Sequence, residues 1–92
     1  MPNDKLKILL IDDVKNITRV FKKGLEIKGF KVDVSSDPTE AMQQFRPFRY
    51  DALITDICMP VLNGFEVYKL IRRQDEKVKV FFMTAFEVFE KN

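Results

Sequence analysis

The 92-residue sequence contains no histidine and no tryptophan, and its only cysteine is Cys58. Without histidine, the chain lacks the commonest metal ligand and the usual general base near neutral pH. Any metal would therefore be held by oxygen ligands, which favour a hard cation such as magnesium. A lone cysteine cannot form an internal disulfide, so we expect a reducing, cytoplasmic location.

Long hydrophobic runs, a signal-peptide pattern and a large excess of either charge are also missing. Lys and Arg number 16 against 14 Asp and Glu, so net charge indicates neither a nucleic-acid partner nor a membrane partner. No glycine-rich turn follows the first apolar run, which disfavours a dinucleotide-binding domain. Hydrophobic residues make up 46% and charged residues 33% of the chain. This composition predicts one small globular domain spanning residues 1–92.

Short apolar runs alternate with segments of helical periodicity. Strands are predicted at residues 6–11, 30–34, 51–55 and 78–85, and the second alternates apolar and polar residues as an edge strand does. Strands separated by helices predict an α/β fold with a doubly wound parallel sheet.

Three helices are predicted between these strands, each with its own signal. The first has an apolar stripe and a glycine where its C-terminal cap belongs, the second begins with an Asp-Pro pair, and the third begins with an Asn–Glu capping pair. The residues concerned are Ile17, Val20, Phe21, Gly24, Leu25 and Gly29, then Asp37 and Pro38, then Asn63 and Glu66. Residues 86–92 suffice for about two further helical turns.

Polar side chains cluster at the carboxyl ends of the predicted strands. Asp12 and Asp13 follow the first strand, Asp56 follows the third, and Thr84 lies near the end of the fourth. In a parallel sheet these ends share one edge, where ligands bind. One Asp after a strand is ordinarily a turn residue or a helix cap, and Asp13 alone could simply begin the first helix.

Three carboxylates at one edge of the sheet indicate a metal site more strongly than a single carboxylate does. Two like charges 4 Å apart repel by about 4 kcal/mol at an effective dielectric of 20. A divalent cation would relieve this repulsion, and magnesium binds through a few carboxylates while keeping water and phosphate ligands. The pattern therefore favours a metal-assisted phosphate site.

Three motifs, in this order, resemble the receiver domain of two-component response regulators. They are LLIDD at residues 9–13, LITDICMPVLNG at residues 53–64 and VFFMTA at residues 80–85. The middle motif is the most specific, because Met-Pro and Asn-Gly pairs follow the aspartate at the family's distances. The resemblance covers essentially the whole chain and implies a flavodoxin-like sheet with strand order 2-1-3-4.

The resemblance also implies a role for each candidate residue. Asp56 would accept a phosphoryl group from a histidine kinase or phosphotransfer protein, and Thr84 would hydrogen-bond a phosphoryl oxygen. Asp13 and Asp56 would ligate magnesium, with Asp12 assisting through water and the backbone carbonyl of Cys58 as a further ligand. The domain would be a phosphoacceptor rather than an enzyme, and its output would pass to a partner protein that the sequence does not name.

The chain departs from the family after the fourth strand. Receiver domains continue through a helix, a fifth strand bearing a phosphate-binding lysine and a last helix, so the resemblance implies a C-terminally truncated domain. Lys77, Lys79 and Lys91 lie at positions that do not match this lysine. A receiver-like interaction module that is not phosphorylated therefore stays open as the alternative. A magnesium-dependent phosphohydrolase is disfavoured because Asp12 and Asp13 are adjacent rather than in an Asp-x-Asp pattern.

The missing fifth strand also bears on association. It would leave the fourth strand as a bare edge beside an uncovered face of the sheet. Phe81 and Phe82 point to opposite faces because side chains alternate along a strand, so one of them would lose its cover. We expect the chain to self-associate through the fourth strand and the adjoining face.

Overall fold

The computed structural model describes residues 6–84 and 87–91, except the side chains at positions 15, 16, 87 and 89. The elements in chain order are β1 (Lys7–Ile11), α1 (Lys15–Ile27), β2 (Lys31–Ser35), α2 (Pro38–Gln44), β3 (Ala52–Asp56), α3 (Gly64–Gln74), β4 (Lys79–Thr84) and β5 (Glu87–Glu90). The sheet order is β2-β1-β3-β4-β5, and β1 to β4 are parallel. This confirms the predicted parallel order 2-1-3-4, with β2 at one edge.

The predicted starts of α2 and α3 are also confirmed. The Asp37 carboxylate accepts hydrogen bonds from the backbone N–H groups of Thr39 and Glu40. Asn63 and Glu66 form a reciprocal capping box at the start of α3. Each cap satisfies backbone donors that have no partner within the helix, so these local signals define where the helices begin.

The chain after β4 forms a strand, not the two helical turns for which its length would suffice. Residues 87–90 form β5, which runs antiparallel to β4 and pairs Thr84 with Glu87 and Phe81 with Glu90. Pairing satisfies the backbone groups that the edge of β4 would otherwise leave free, which a two-turn helix could not do. Self-association through the edge of β4 is therefore wrong as predicted, because β3 and β5 occupy both of its sides. Positions 85, 86 and 92 of the predicted strand and helix lie outside the described residues.

Two apolar clusters lie on opposite faces of the sheet. The cluster beneath α2 and α3 consists of Leu9, Ile11, Ala41, Phe45, Tyr50, Leu53, Met59, Val67, Ile71, Val78, Val80 and Phe82. The cluster beneath α1 is smaller and consists of Ile8, Leu10, Val32, Ile54 and Met83, with partly buried neighbours. Phe82 is fully buried on the first face and Phe81 is only half-buried on the second, as the alternation predicted.

The apolar stripe of α1 only partly faces the core. Phe21 and Leu25 pack against the sheet cluster, but Ile17 and Val20 are exposed. At 100° per residue, positions 17 and 20 lie to one side of positions 21 and 25, so only the latter pair can contact the sheet. The turn after α1 contains Gly29 at a φ of 98°, which confirms the predicted glycine at the end of this helix. Within the described chain, no helix is long and apolar enough to cross a membrane.

Candidate functional site

Three carboxylates meet at the carboxyl edge of the sheet. Asp12 and Asp13 follow β1, and Asp56 ends β3, the neighbouring strand. One carboxylate oxygen from each lies within 4.8 Å of the others. Asp12 is 2% exposed, Asp56 is half-buried and Asp13 is exposed. The cluster therefore opens to solvent through Asp13 and is closed beneath by Asp12.

Asp12, rather than Asp13, bonds to the backbone at the start of α1. An oxygen of the Asp12 carboxylate accepts a hydrogen bond of 2.9 Å from the backbone N–H of Val14. The N-cap residue of α1 is Val14, which makes no side-chain cap bond. The ordinary interpretation of Asp13 as a helix cap is therefore wrong, and its carboxylate stays at the mouth of the cluster.

Burial and mutual repulsion both act on these acids. Burial raises the pKa of Asp12 above its usual value of 3.8, and the charges of Asp56 and Asp13 add to this increase, although the N–H of Val14 opposes it. Burial also raises the pKa of Asp56, with the charge of Asp13 adding to it. Raised pKa values mean that the folded protein holds these carboxylates ionised at a cost, which a bound cation would remove.

The loop after β3 fixes the backbone of Asp56. The N–H of Gly64 donates to the carbonyl oxygen of Ile57 at 2.9 Å. A Cβ atom at Gly64 would lie 2.5 Å from the carbonyl oxygen of Asp56, so only glycine permits this approach. Gly64 belongs to the quoted motif, but its role in positioning Asp56 was missed from the sequence. The signal was its place directly after the Asn63 cap.

The tip of the same loop is a strained turn. Val61 has a φ of 73°, and the N–H of Leu62 donates to the carbonyl oxygen of Pro60 at 2.8 Å. Together these features define a classic γ-turn, which is rare for a β-branched residue. No signal in the sequence indicated it, because valine disfavours this backbone conformation.

Thr84 lies at the same edge of the sheet as Asp56, as its place at a strand end predicted, and Cys58 lies two residues after Asp56. Met83 pairs with Asp56 across the sheet, so Thr84, the last residue of β4, follows directly at the same edge. The backbone N–H groups of Cys58 and Ile57 act to lower the pKa of Asp56, against the larger effect of burial, while the Cys58 side chain is exposed. The backbone of Cys58, rather than its thiol, therefore faces the acidic cluster.

The three lysines without an assigned role are far from the acids along the strands. Lys77 and Lys79 lie at the amino end of β4. Lys91 follows β5, and its N–H donates to the carbonyl oxygen of Val80 at 2.8 Å. Because β5 runs antiparallel, it carries Lys91 away from the edge where Thr84 lies. Among the described residues, no Lys or Arg forms an ion pair with the three acids.

The three acids fit a hard divalent cation. Their oxygens are close enough for one ion to touch, the cluster is open on one side for water or phosphate ligands, and no basic side chain compensates the charge within the described chain. Asp12, Asp13 and Asp56 are therefore the residues that would hold magnesium.

Comparison with known proteins identifies the family. A family model for the response regulator receiver domain matches residues 8–91. The sensor protein EvgS of Escherichia coli is 34% identical over 82 residues, which cover 89% of this chain and 7% of that protein. The transcriptional regulatory protein PrrA of Mycobacterium leprae is 34% identical over 79 residues, which cover 86% of this chain and 34% of that protein. The chain thus spans about a third or less of these relatives.

Solved receiver structures share the fold. The response regulator TrrA of Thermotoga maritima, solved in complex with the histidine kinase ThkA, matches with a TM-score of 0.80 and 34% identity, over 89% of this chain and 71% of that one. The receiver domain of the sensor histidine kinase PA1611 of Pseudomonas aeruginosa, solved with magnesium in its active-site cleft, matches with a TM-score of 0.78 and 31% identity, over 88% and 68% of the two chains. The chain therefore belongs to the response regulator receiver domain family.

Proposed function

We propose that this receiver domain accepts a phosphoryl group at Asp56, with magnesium held by the acidic cluster. The observation that supports the proposal is the approach of three carboxylates to within 4.8 Å of one another, without a basic partner among the described residues. Asp56 is the half-buried member at the end of β3, on the backbone that Gly64 holds. Its oxygen is the nucleophile.

The transfer forms one bond and breaks one bond. A carboxylate oxygen of Asp56 bonds to the phosphorus of a phosphohistidine, the P–N bond breaks, and the imidazole leaves with the bonding electron pair. The product is an acyl phosphate, a covalent intermediate that water can later hydrolyse. When bound, magnesium would neutralise charge on the phosphoryl oxygens. Asp12 and Asp13 would hold that ion, the backbone carbonyl of Cys58 would be a further ligand, and the Thr84 hydroxyl would donate to a phosphoryl oxygen.

The partners follow from this chemistry. A histidine kinase or a phosphotransfer protein would supply the phosphoryl group, and support comes from the related regulator TrrA, which was solved in complex with a histidine kinase. The domain would be a phosphoacceptor that catalyses at most its own phosphorylation and dephosphorylation, and an output protein would recognise the phosphorylated form. A cytoplasmic location would keep the single thiol of Cys58 reduced.

The negative charge of the site is expected to limit the yield of phosphorylation. In the phosphorylated state, Asp12 and Asp13 contribute two negative charges and the phosphoryl group about two more, against two positive charges on magnesium. A net charge of about −2 then stays in the site, since Lys77, Lys79 and Lys91 lie at the other end of the sheet. We therefore expect slow or incomplete phosphorylation.

Intact mass spectrometry tests the acceptor. Incubation with phosphoramidate and magnesium should add one phosphoryl group to the wild-type chain and none to Asp56→Asn. Asp51→Asn is the matched control, because Asp51 lies at the other end of the same strand, where its carboxylate accepts from the Lys7 N–H. An adduct in Asp56→Asn would place the nucleophile elsewhere. A wild-type chain that stays unmodified would favour the alternative, a receiver-like interaction module without phosphorylation.

Calorimetric titration with magnesium tests the metal site without phosphorylation. Asp13→Asn should weaken binding by at least about tenfold, because it removes one of only three carboxylates in the site. Asp51→Asn should leave the isotherm unchanged. Equal binding by the wild type and Asp13→Asn would contradict the proposed ligand set.

A further inference from the structure

The loop between α2 and β3 exposes a phenylalanine in an unusual backbone conformation. Phe48 has a φ of 64° and is 71% exposed. The N–H of Arg49 donates to the carbonyl oxygen of Arg46 at 3.2 Å, so these residues enclose a β-turn with Pro47 second and Phe48 third. A turn with proline second and a positive φ at the third position is type II, and that third position ordinarily holds glycine or asparagine. Phenylalanine therefore disfavours the turn that its own loop forms.

A buried carboxylate holds this turn in place. The N–H of Phe48 donates to one oxygen of the Asp75 carboxylate at 2.8 Å. The other oxygen accepts from the backbone N–H groups of Lys77 and Val78 at 2.9 and 3.1 Å. Asp75 is 2% exposed, and its bonds join the loop before β3 to the turn before β4. The Phe48 ring is thus presented to solvent from a fixed backbone.

The fold itself gives no reason for a phenylalanine at this position. The ring is mostly exposed, so it adds little to the core. A positive φ disfavours side chains that carry a Cβ atom. Backbone conformations of this kind cluster at sites that bind ligands, where the strain has a use. A use outside the folding of the monomer accounts for both features of Phe48.

Phe48 borders two small clefts at the amino edge of the sheet. One has a volume of about 350 Å³, and its lining includes Arg72, Arg73, Glu76 and Lys77 beside Phe48. The other has a volume of about 190 Å³, and its lining includes Tyr50, Asp51, Lys77 and Val78 beside Phe48. Phe48 and Lys77 line both clefts, so one bound segment can contact the ring and enter the cleft on either side.

The segments that form these clefts are basic. Asp75 is buried, and its charge is taken up by three backbone donors, so the exposed acid after α3 is Glu76. Among the side chains that the structure describes, neither Arg73 nor Lys77 has a carboxylate partner. The loop before β3 and the end of α3 with its following turn together supply five basic side chains, which are Arg46, Arg49, Arg72, Arg73 and Lys77. This corner of the molecule therefore attracts negative charge.

We propose that this surface, formed by Phe48, its two clefts and the surrounding basic side chains, binds an acidic segment of a partner protein. An apolar side chain of the segment would cover the Phe48 ring, and its carboxylates would pair with Arg73 and Lys77. Aromatic and arginine side chains are the types most enriched where proteins bind one another. The Phe48 surface lies at the opposite edge of the sheet from the acidic cluster, so both sites can be occupied at once.

A nucleic acid and an anionic membrane fit this surface less well than a peptide does. Both present many phosphates, which need a continuous positive surface. The exposed carboxylates of Asp51 and Glu76 line the two clefts and interrupt the positive charge. A peptide that alternates acidic and apolar side chains can avoid these two carboxylates and still reach the ring and the cations.

Fluorescence anisotropy with a defined acidic peptide tests the proposal. The probe is a fluorescein-labelled peptide of four Glu-Leu-Glu repeats, added to the full chain at low salt. The wild type should bind it, and a Lys-Leu-Lys peptide of equal length should not bind. Phe48→Gly should weaken binding by at least about tenfold, because it removes the ring that leucine would cover. Arg73→Glu and Lys77→Glu should each weaken binding severalfold, and added salt should weaken it as well.

Val61→Gly is the matched control for Phe48→Gly. Val61 also combines a positive φ with high exposure, but it lies on the loop after β3, at the opposite edge of the sheet. Val61→Gly should bind the peptide like the wild type. Asp56→Asn should do so too, which separates this proposal from the one about phosphorylation. In thermal unfolding, Phe48→Gly should be no less stable than the wild type, because glycine suits the third position of the turn.

Four results would overturn the proposal. The first is a wild type that does not bind the peptide at about 1 mM, the weak end of specific affinities. The second is equal binding by the wild type and Phe48→Gly. The third is a marked loss of stability in Phe48→Gly, which would mean that the fold itself needs the ring. The fourth is displacement of the peptide by oligothymidylate or by phosphatidylglycerol vesicles that bind more tightly, which would assign the surface to a nucleic acid or to a membrane.

Discussion

The two faces of the sheet differ in how helices cover them. On one face, α2 and α3 enclose a cluster with several fully buried side chains, including Phe45 and Phe82. On the other face, α1 lies alone over β1 and β2, and the apolar side chains of β3 to β5 border an open groove. The same strands supply both faces, because their side chains alternate. The difference therefore comes from the helices, and it separates a closed core from an open apolar groove.

The ends of α1 and α3 show the same contrast. The Asp75 carboxylate at the end of α3 accepts backbone hydrogen bonds from Lys77 and Val78, just after it in the chain, and from Phe48, 27 residues before it, so it joins the turn before β4 to the loop before β3. The end of α1 uses only local backbone bonds around Gly29. The α2/α3 face thus has a long-range hydrogen bond at its end, from Phe48 to Asp75, whereas α1 contacts the sheet through Phe21 and Leu25.

The largest expected effect comes from truncating the two neighbouring phenylalanines of β4. Phe82→Ala should lower the free energy of unfolding by about 3–5 kcal/mol, because it leaves a cavity beneath Phe65 and Tyr68, whose rings contact it. Phe81→Ala should lower it by roughly 1–2 kcal/mol, since that ring borders the groove. Urea unfolding measures both. Equal losses would contradict the contrast between the faces.

The next effect concerns Asp75. Asp75→Ala should destabilise the fold by about 2–3 kcal/mol at pH 7, because three backbone donors lose their acceptor. Burial opposes ionisation of this carboxyl, but the three N–H donors and Arg72 together lower its pKa below 3.8. Its contribution is therefore complete above the unfolded pKa and is lost as the pH falls below about 4. Urea unfolding at pH 7 and pH 2.5 measures this, and the difference in free energy of unfolding between wild type and variant should be smaller at pH 2.5.

Replacing each of the two helical glycines by alanine compares the packing of the two faces. Gly64→Ala should destabilise the chain by about 1–3 kcal/mol, because its Cβ atom would collide with the backbone of Asp56. Gly24→Ala should stabilise the fold by about 0.5–1 kcal/mol, since its site is open and alanine favours helix. Thermal unfolding measures both changes. A loss of stability in Gly24→Ala would show that the α1 flank is more tightly packed than described.

The smallest expected effect on stability comes from removing the charge of Asp56 in the acidic cluster, at the carboxyl edge of the sheet. Without magnesium, Asp56→Asn should stabilise the fold at pH 7 by up to about 1 kcal/mol, because burial and the charge of Asp13 raise the pKa of Asp56. For the same reason, the wild type should gain stability as the pH falls through this raised pKa toward 3.8. Thermal unfolding in EDTA measures the change. Asp51→Asn, at the other end of β3, should not raise the stability. A similar increase there would show that the effect does not come from the clustering of the three acids.

Much of the fold and the composition of the acidic cluster could be predicted from residues near in sequence. The capping bonds of Asp37 and Asn63 involve only the following turn, so the sequence pattern already contained both partners. The convergence of Asp12, Asp13 and Asp56 followed from the rule that parallel strands share one carboxyl edge. What could not be predicted depended on distant partners, such as the bonds from Phe48 to Asp75.

The sequence by itself determined the four parallel strands, the starts of α2 and α3 and the set of acids, because hydrophobic period and caps act over a few residues. Only the tertiary structure decided that residues 87–90 pair as β5 rather than form a helix, since the free edge of β4 offered hydrogen bonds that seven residues cannot make alone. It also decided that Val20 and Ile27 stay exposed. An apolar residue on a helix becomes core only when another element covers it, and that element is not specified by the helix's own periodicity.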